Sequence, residues 1–254
     1  MPLDMTIPER VADLNTRYRH QGATQVLEHA LDDPMVGQLA LVSSFGAESV
    51  VLLHLISVMA PTTPVIFLDT ELLFPETLAY QEDLAERLKL SDVRRIQPDR
   101  MEVFAEDNEN LLHQSDPDSC CNLRKTRPLA RALDGFDTWI TGRKRFQGGQ
   151  RTLLDFFEMD PNAPRIKVNP LVHWERDNVA EYILNNRLPR HPLISKGFQS
   201  IGCAPCTSAV KEGEDPRAGR WRNHQKIECG IHFGTDGPLE RTLGFASATE
   251  GVPR

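Results

Sequence analysis

Long hydrophobic runs are missing from this sequence. The longest apolar-rich stretch, residues 50–60, is too short to cross a bilayer and contains His54. The opening MPLDMTIPER has no apolar core of the secretory-signal kind. A cytoplasmic protein with no membrane association is therefore expected. Positive charge is not in excess either. The net charge over 254 residues is -7, which excludes a global basic field for nucleic acid or acidic lipid. There is no Gly-Lys-Ser/Thr phosphate loop and no G-x-G-x-x-G dinucleotide fingerprint. No internal repeat, low-complexity tract or clear linker divides the chain.

The remaining composition is that of an ordinary globular protein, 40% hydrophobic and 26% charged. A short apolar run at residues 39–45 and Pro-Val-Ile-Phe-Leu at 64–68 read as buried strands, and residues 93–96 and 138–141 as a third and a fourth. Between them lie helical segments at 8–31, 47–59, 75–90 and near 101–107. Residues 151–159 and 165–168 read as further strands, and 174–187 as a helix with Val179, Tyr182 and Ile183 on its apolar side. The alternation predicts an α/β fold, a parallel sheet with helices on both faces. Such sheets bind ligands at the carboxyl ends of their strands. From Leu188 onward proline, glycine and charge replace periodicity. One domain, 1–254, is expected, with a loop-rich C-terminal part folded back over the sheet and a mobile segment at 212–254.

The five cysteines divide into four and one. Cys120-Cys121 and Cys203-Ala-Pro-Cys206 form two pairs, and Cys229 stands alone in Lys-Ile-Glu-Cys-Gly-Ile-His. In a reducing compartment, paired cysteines more often bind metal or do redox chemistry than form structural disulfides. Four is the number that a zinc ion or an iron–sulfur cluster takes. Adjacent cysteines diverge, which would strain a single tetrahedral ion, whereas a cubane spreads its corners. A 4Fe-4S cluster on Cys120, Cys121, Cys203 and Cys206 is thus favoured over zinc or a redox-active Cys-x-x-Cys. The bland alternative is a set of unrelated buried thiols. Cys229, with Lys226 and His232 nearby as cations, is a candidate nucleophile, although Glu228 opposes its ionisation.

Charge is uneven. Arg124, Lys125, Arg127, Arg131, Arg143, Lys144, Arg145 and Arg151 fall in one stretch opposed only by Asp134 and Asp137. A basic segment in an acidic protein suits a small anion; the plain alternative is a solvated face answered by acids elsewhere. Ser43-Ser44-Phe45-Gly46-Ala47-Glu48-Ser49 joins the first strand to a helix. Its small residues would let backbone amides and a helix N-terminus face an oxyanion. Leu68-Asp69-Thr70 ends the next strand on the same edge, where Asp69 would fix a nucleotide, orient the first loop or cap a helix. Arg217 and Arg220 offer bidentate donors for sulfate or phosphate.

Taken together, these motifs resemble the assimilatory adenylyl-sulfate reductases, relatives of the phosphoadenylyl-sulfate reductases. The resemblance runs from Leu39 to His232. It rests on Ser-Phe-Gly-Ala-Glu (Ser44–Glu48), Leu-Asp-Thr (Leu68–Thr70), Cys-Cys-x-x-Arg-Lys (Cys120–Lys125) and, loosely kept and one residue shorter here, Thr-Gly-x-x-Arg-x-x-Gln-x-x-x-Arg (Thr141–Arg151). Cys-x-x-Cys (Cys203–Cys206), Arg-Ala-Gly-Arg-Trp (Arg217–Trp221) and Glu-Cys-Gly-Ile-His (Glu228–His232) complete it. Two departures stand out. Glu71-Leu72 occupies the place where the family often has Gly-Arg, and Gly148 the place of a frequent serine.

The resemblance implies an adenine-nucleotide alpha-hydrolase-like, Rossmann-like fold. It implies that adenosine 5′-phosphosulfate binds over the strand ends, among Ser44, Gly46, Ala47, Glu48, Leu68, Asp69 and Thr70. The phosphosulfate would lie among Lys125, Arg151, Arg217, Arg220 and His232. Cys229 would attack sulfur, forming a thiosulfonate that thioredoxin resolves to sulfite, in sulfate assimilation and cysteine biosynthesis. One 4Fe-4S cluster per chain would polarise the site with Lys125. A homodimer or homotetramer is expected. The rivals are a phosphoadenylyl-sulfate reductase of the same mechanism, a sulfurylase-like ATP pyrophosphatase without need of Cys229, and a non-catalytic iron–sulfur nucleotide-binding protein.

Overall fold

Side chains alternate across the strands, and that alternation sorts them between two cores. A computed structural model describes residues 5–222, 224, 226 and 228–232. The strands are β1 (Leu39–Ser43), β2 (Val65–Leu68), β3 (Val93–Ile96), β4 (Thr138–Ile140), β5 (Phe157–Met159) and β6 (Ile166–Val168). Leu41, Val65, Phe67, Ile140, Ile166 and Val168 face the larger core. Ala40, Ile66 and Trp139, one residue out of phase, face the smaller one.

Helices cover both faces. The larger core takes α1 (Ile7–Tyr18), α2 (Ala23–Asp32), α3 (Ser49–Met59), α4 (Pro75–Arg87) and α9 (Arg176–Asn185). The smaller core takes Leu129 of α8 (Arg127–Ala132) and Leu133 just after it. The short α5 (Arg100–Glu106), α6 (Leu112–Ser115) and α7 (Pro117–Cys121) lead into α8. Among the described residues, no helix is long and apolar enough to cross a membrane.

The sheet order is β3-β2-β1-β4-β6-β5. All neighbours are parallel except β5, which pairs antiparallel with β6. The sheet is parallel as expected apart from this one edge strand. Only residues 160–165 join β5 to β6, and the Asp160 amide closes that turn on the Arg165 carbonyl at 2.8 Å. A parallel crossover needs a dozen residues or more. Two expectations change. The helix expected at 8–31 is two helices, because the chain turns at Gln21 and restarts at Gly22, whose amide donates to Gln25 at 3.0 Å. The strand expected at 151–159 begins as a 3-10 turn, Gly149–Leu153, and only its end pairs with the sheet.

Strand order runs one way from β1 to β3 and the other way from β1 to β4. The reversal between β1 and β4 is a topological switch point, where open α/β sheets leave a crevice at the carboxyl ends.

Candidate active site

The crevice between β1 and β4 opens into a cavity of about 420 Å3. Ser44, Gly46, Ala47, Glu48, Leu68, Thr70, Lys125, Arg151, Arg217, Arg220, Cys229 and His232 all line it. Residues far apart in sequence, from the end of β1 to the C-terminal motif, thus share one wall.

The first loop makes a tight turn. Phe45 adopts φ 48, a left-handed conformation that costs a non-glycine residue about 1–2 kcal/mol. Its ring packs edge-on to Phe67, with centroids 5.2 Å apart, and this buried contact offsets the strain. The Gly46 amide donates to Ser49 Oγ at 3.0 Å, and the first turn of α3 faces the cavity. A helix N-terminus favours negative charge.

Asp69 does not line the cavity. Its buried carboxylate accepts from Arg95 Nε (2.9 Å), Gln97 Nε2 (2.8 Å) and the Glu71 amide (3.0 Å). Burial opposes its ionisation, but Gln97 and Arg95 hold it below the usual carboxylate range. In this position it ties the end of β2 to β3 and shapes the loop that follows.

The two cysteine pairs meet. Cys120, Cys121, Cys203 and Cys206 line one small enclosed cavity together with Arg124, Lys125 and Trp221. Asp116 caps α7, accepting from the Asp118 and Ser119 amides at 3.1 and 3.0 Å, and so fixes the first pair. A π-helical turn, Asn122–Thr126, follows. Pro128 lacks an amide and crowds the carbonyl four residues back, and the wider π turn relieves this. The turn also carries Arg124 inward, where its guanidinium bonds Asp107 (2.9 Å), Asn110 (2.7 Å) and the Thr70 carbonyl (3.0 Å). Cys203 is tied to the β2 loop. The Ala204 amide donates to the Leu72 carbonyl at 2.8 Å, and Thr70 Oγ1 lies 3.2 Å from Cys203 Sγ.

All five cysteines are free thiols. Among the described residues, no three His, Cys, Asp or Glu side chains converge as they would on a single metal ion. Four thiols around one closed cavity are a donor set that fits a multi-iron cluster. Burial pushes Cys120 up to about 11 and raises Cys206, so a positive group is needed to ionise them. Lys125 lines both this cavity and the larger one. Burial disfavours its charge, but the surrounding Cys203, Cys229 and Cys121 keep its pKa raised.

On the far side, Gly202 and Gly219 give space. A Cβ on Gly202 would meet the Arg220 guanidinium, and one on Gly219 the Ser208 carbonyl. Arg220 consequently lies over the Trp221 ring at 4.4 Å. Glu228 accepts from Arg151 Nε at 2.6 Å and lies 3.2 Å from Arg217. Burial alone would raise the Glu228 carboxyl, but Arg151 and Arg217 pull it down to about 2. The Cys229 thiol is lowered well below its ordinary value by the Cys121 thiol, then by Lys125 and the Ile231 amide, while burial and Glu228 oppose them. Lys226, by contrast, is paired with Asp118. Burial and then Arg143, Arg151 and Lys167 keep His232 far below its ordinary value, so it is a neutral donor or acceptor and supplies no charge. Within the site, Arg220 Nε, Trp221 Nε1 and His232 Nδ1 are buried without a protein partner. Orphaned donors of this kind in a cavity wall point to a ligand.

Half of the basic segment is answered elsewhere, as its plain reading allows. Arg124 pairs with Asp107, Arg127 with Glu106, Arg131 with Glu102 and Arg145 with Asp155. Lys125, Arg143, Lys144 and Arg151 reach the cavity. Lys144 was not singled out by sequence. It is buried, and its ammonium donates to Glu48 at 2.8 Å and the Gly142 carbonyl at 3.0 Å. Its signal was its place inside the Thr141–Arg151 motif. Arg176 and Arg190, flanking α9, also line the cavity and had no local signal.

Residues 38–209 match the phosphoadenosine phosphosulfate reductase domain. The chain belongs to the phosphoadenosine phosphosulfate reductase family. Among curated relatives, the adenosine 5′-phosphosulfate reductase of Mesorhizobium japonicum is 43% identical over 230 residues, covering 91% of this chain and 90% of that protein. That of Chelativorans sp. is 44% identical, covering 91% and 94%. The crystal structure of the phosphoadenylyl-sulfate reductase of Candida auris in a phosphate complex superposes with a TM-score of 0.67 at 28% identity, covering 79% of this chain and 96% of that one. The adenine-nucleotide alpha-hydrolase-like fold expected from sequence is thus borne out. Residues 233–254, the end of the segment expected to be mobile, lie outside the described residues.

Proposed function

We propose that this member of the reductase family reduces adenosine 5′-phosphosulfate to sulfite and AMP in the cytoplasm, as part of sulfate assimilation, with thioredoxin as electron donor. The observation that carries this reading is the position of Cys229, buried in the wall of a cavity that also presents Lys125, Arg151, Arg217 and Arg220. The names of its curated relatives support the substrate.

Sulfate sulfur is shielded by anionic oxygens that repel a thiolate. Cations on those oxygens lower the barrier and stabilise the phosphate that departs. Cys229 Sγ attacks sulfur, the bond from sulfur to the bridging phosphate oxygen breaks, and AMP leaves with its electron pair. The product on Cys229 is a thiosulfonate. A thioredoxin thiolate then attacks Cys229 Sγ and sulfite departs. The second thioredoxin thiol resolves the mixed disulfide, so thioredoxin is oxidised and sulfur reduced by two electrons. Cys229 is only 8% exposed, so its segment must open before thioredoxin reaches it.

Cys120, Cys121, Cys203 and Cys206 would hold one 4Fe-4S cluster. Bound there, it would supply a fixed, delocalised charge beside Lys125 and clamp the two loops together. With Cys121 committed to iron, Lys125 and the Ile231 amide remain to hold Cys229 as thiolate. A homo-oligomeric assembly is part of this reading. Sulfite release with thioredoxin from each of the two activated sulfates tests it. A higher kcat/KM for adenosine 5′-phosphosulfate is expected; an equal or higher value for the 3′-phosphorylated compound would move the assignment to that substrate.

A further inference from the structure

Lys167 lies in the middle of β6, buried in the sheet and outside the cavity wall. Lysine is among the residues least often buried this completely, and those that are have partners. Its ammonium has three. Asp160 lies at 3.4 Å, the Trp139 ring centroid at 5.0 Å, and the backbone carbonyl of His232 accepts from it at 3.2 Å. Trp139 in turn donates from Nε1 to Asp160 at 2.9 Å and stacks on the His232 ring, with centroids 5.7 Å apart and planes 9° from parallel. One buried side chain thus joins two central strands to the segment that carries Cys229. The His232 amide donates to the Cys229 carbonyl at 3.2 Å, so anchoring His232 anchors the turn containing the sulfur.

We propose that Lys167 is a positioning residue that latches the Cys229 segment onto the sheet through the His232 carbonyl, with Trp139 and Asp160 holding the lysine in place. The proposal deepens the reading of Cys229 as nucleophile and rests on it for its catalytic consequence. The latch is a single charge-assisted hydrogen bond to one backbone atom. It is strong enough to hold the thiolate in the cavity during attack and weak enough to let go afterwards.

The test is Lys167→Met in the iron-loaded full chain, read by alkylation of Cys229 without substrate, with peptide mapping. Loss of a charge-assisted bond should speed modification of Cys229 about ten- to a hundredfold. The kcat for sulfite release should fall by a similar factor, with KM within about twofold because Lys167 does not touch the cavity. Lys167→Met/Asp160→Asn removes the carboxylate that the single variant would leave uncompensated, and should show the same acceleration with wild-type iron content and AMP affinity. Wild-type alkylation rates in a folded variant overturn the latch, whatever the enzyme proves to catalyse. Accelerated alkylation together with no thiosulfonate on wild-type Cys229 leaves the latch standing and removes the nucleophile assignment. A drop in melting temperature with unchanged alkylation and kcat makes Lys167 merely structural.

Discussion

Glu228→Gln isolates the electrostatic hold on the segment that carries Cys229. Glu228 sits next to Cys229, is buried, and bridges Arg151 and Arg217. Its carboxyl moves from 4.5 to about 2. At about 1.4 kcal/mol per tenfold change, that net displacement, attraction to the two arginines less the cost of burial, corresponds to about 3 kcal/mol. Glutamine keeps the shape and loses the charge that faces the buried Arg151 and the half-buried Arg217. Hydrogen exchange of the peptide from Lys226 to His232, read by mass spectrometry at pH 7, should lose protection about a hundredfold. The pH dependence follows from the sign of the displacement. Because the folded carboxyl is depressed, its contribution is complete above about pH 4.5 and is lost as pH falls toward 2. The difference between wild type and Glu228→Gln should therefore be constant above pH 5 and narrow below it. Exchange within threefold of wild type at pH 7, or a difference that persists into acid, would refute the reasoning.

Iron content tests the four-thiol cavity. Anaerobically purified protein should hold about four irons per chain, and Cys203→Ser should lose them with the visible absorbance; stoichiometric zinc in a colourless protein would count against the cluster. The backbone at Glu71 has φ 60, a left-handed conformation that glycine adopts at no steric cost. Glu71→Gly should stay within about 1 kcal/mol of wild type, since the relieved strain offsets the flexibility gained and an ion pair to Arg124 at 3.6 Å that is worth little. Glu71→Val, β-branched in the left-handed region, should lower stability by about 1–2 kcal/mol and Tm by several degrees in thermal unfolding.

Much of this was legible because it is written in local pattern. Strands β1 and β2 announce themselves as apolar runs, and β3 and β4 lie where the alternation with helices puts them. The gathering of Cys120, Cys121, Cys203 and Cys206 followed from their number alone. What the sequence hid was direction and partnership. The antiparallel β5 had a signal, the short gap of residues 160–165, which no parallel crossover can span. The break at Gly22 is a single residue inside an otherwise continuous helical period. Asp69 looked like a ligand-facing residue at a strand end, but Arg95 and Gln97, a strand away, engage it. Lys167 reads as a polar interruption between Ile166 and Val168; only the folded sheet shows that it reaches the C-terminal segment. His232 looked cationic in sequence and is kept neutral by burial and by cations from other elements.

The central claim is that Cys229 is the sulfur that leaves the substrate-binding cavity carrying sulfite. Incubating the iron-loaded protein with adenosine 5′-phosphosulfate and no reductant should release one AMP per chain. The peptide containing Cys229 should then be heavier by about 80 Da, and thioredoxin should reverse this. Cys229→Ser should bind AMP and retain iron yet form no adduct and no sulfite. An adduct on Cys203 or Cys206, or sulfite release by the serine variant, would contradict the account.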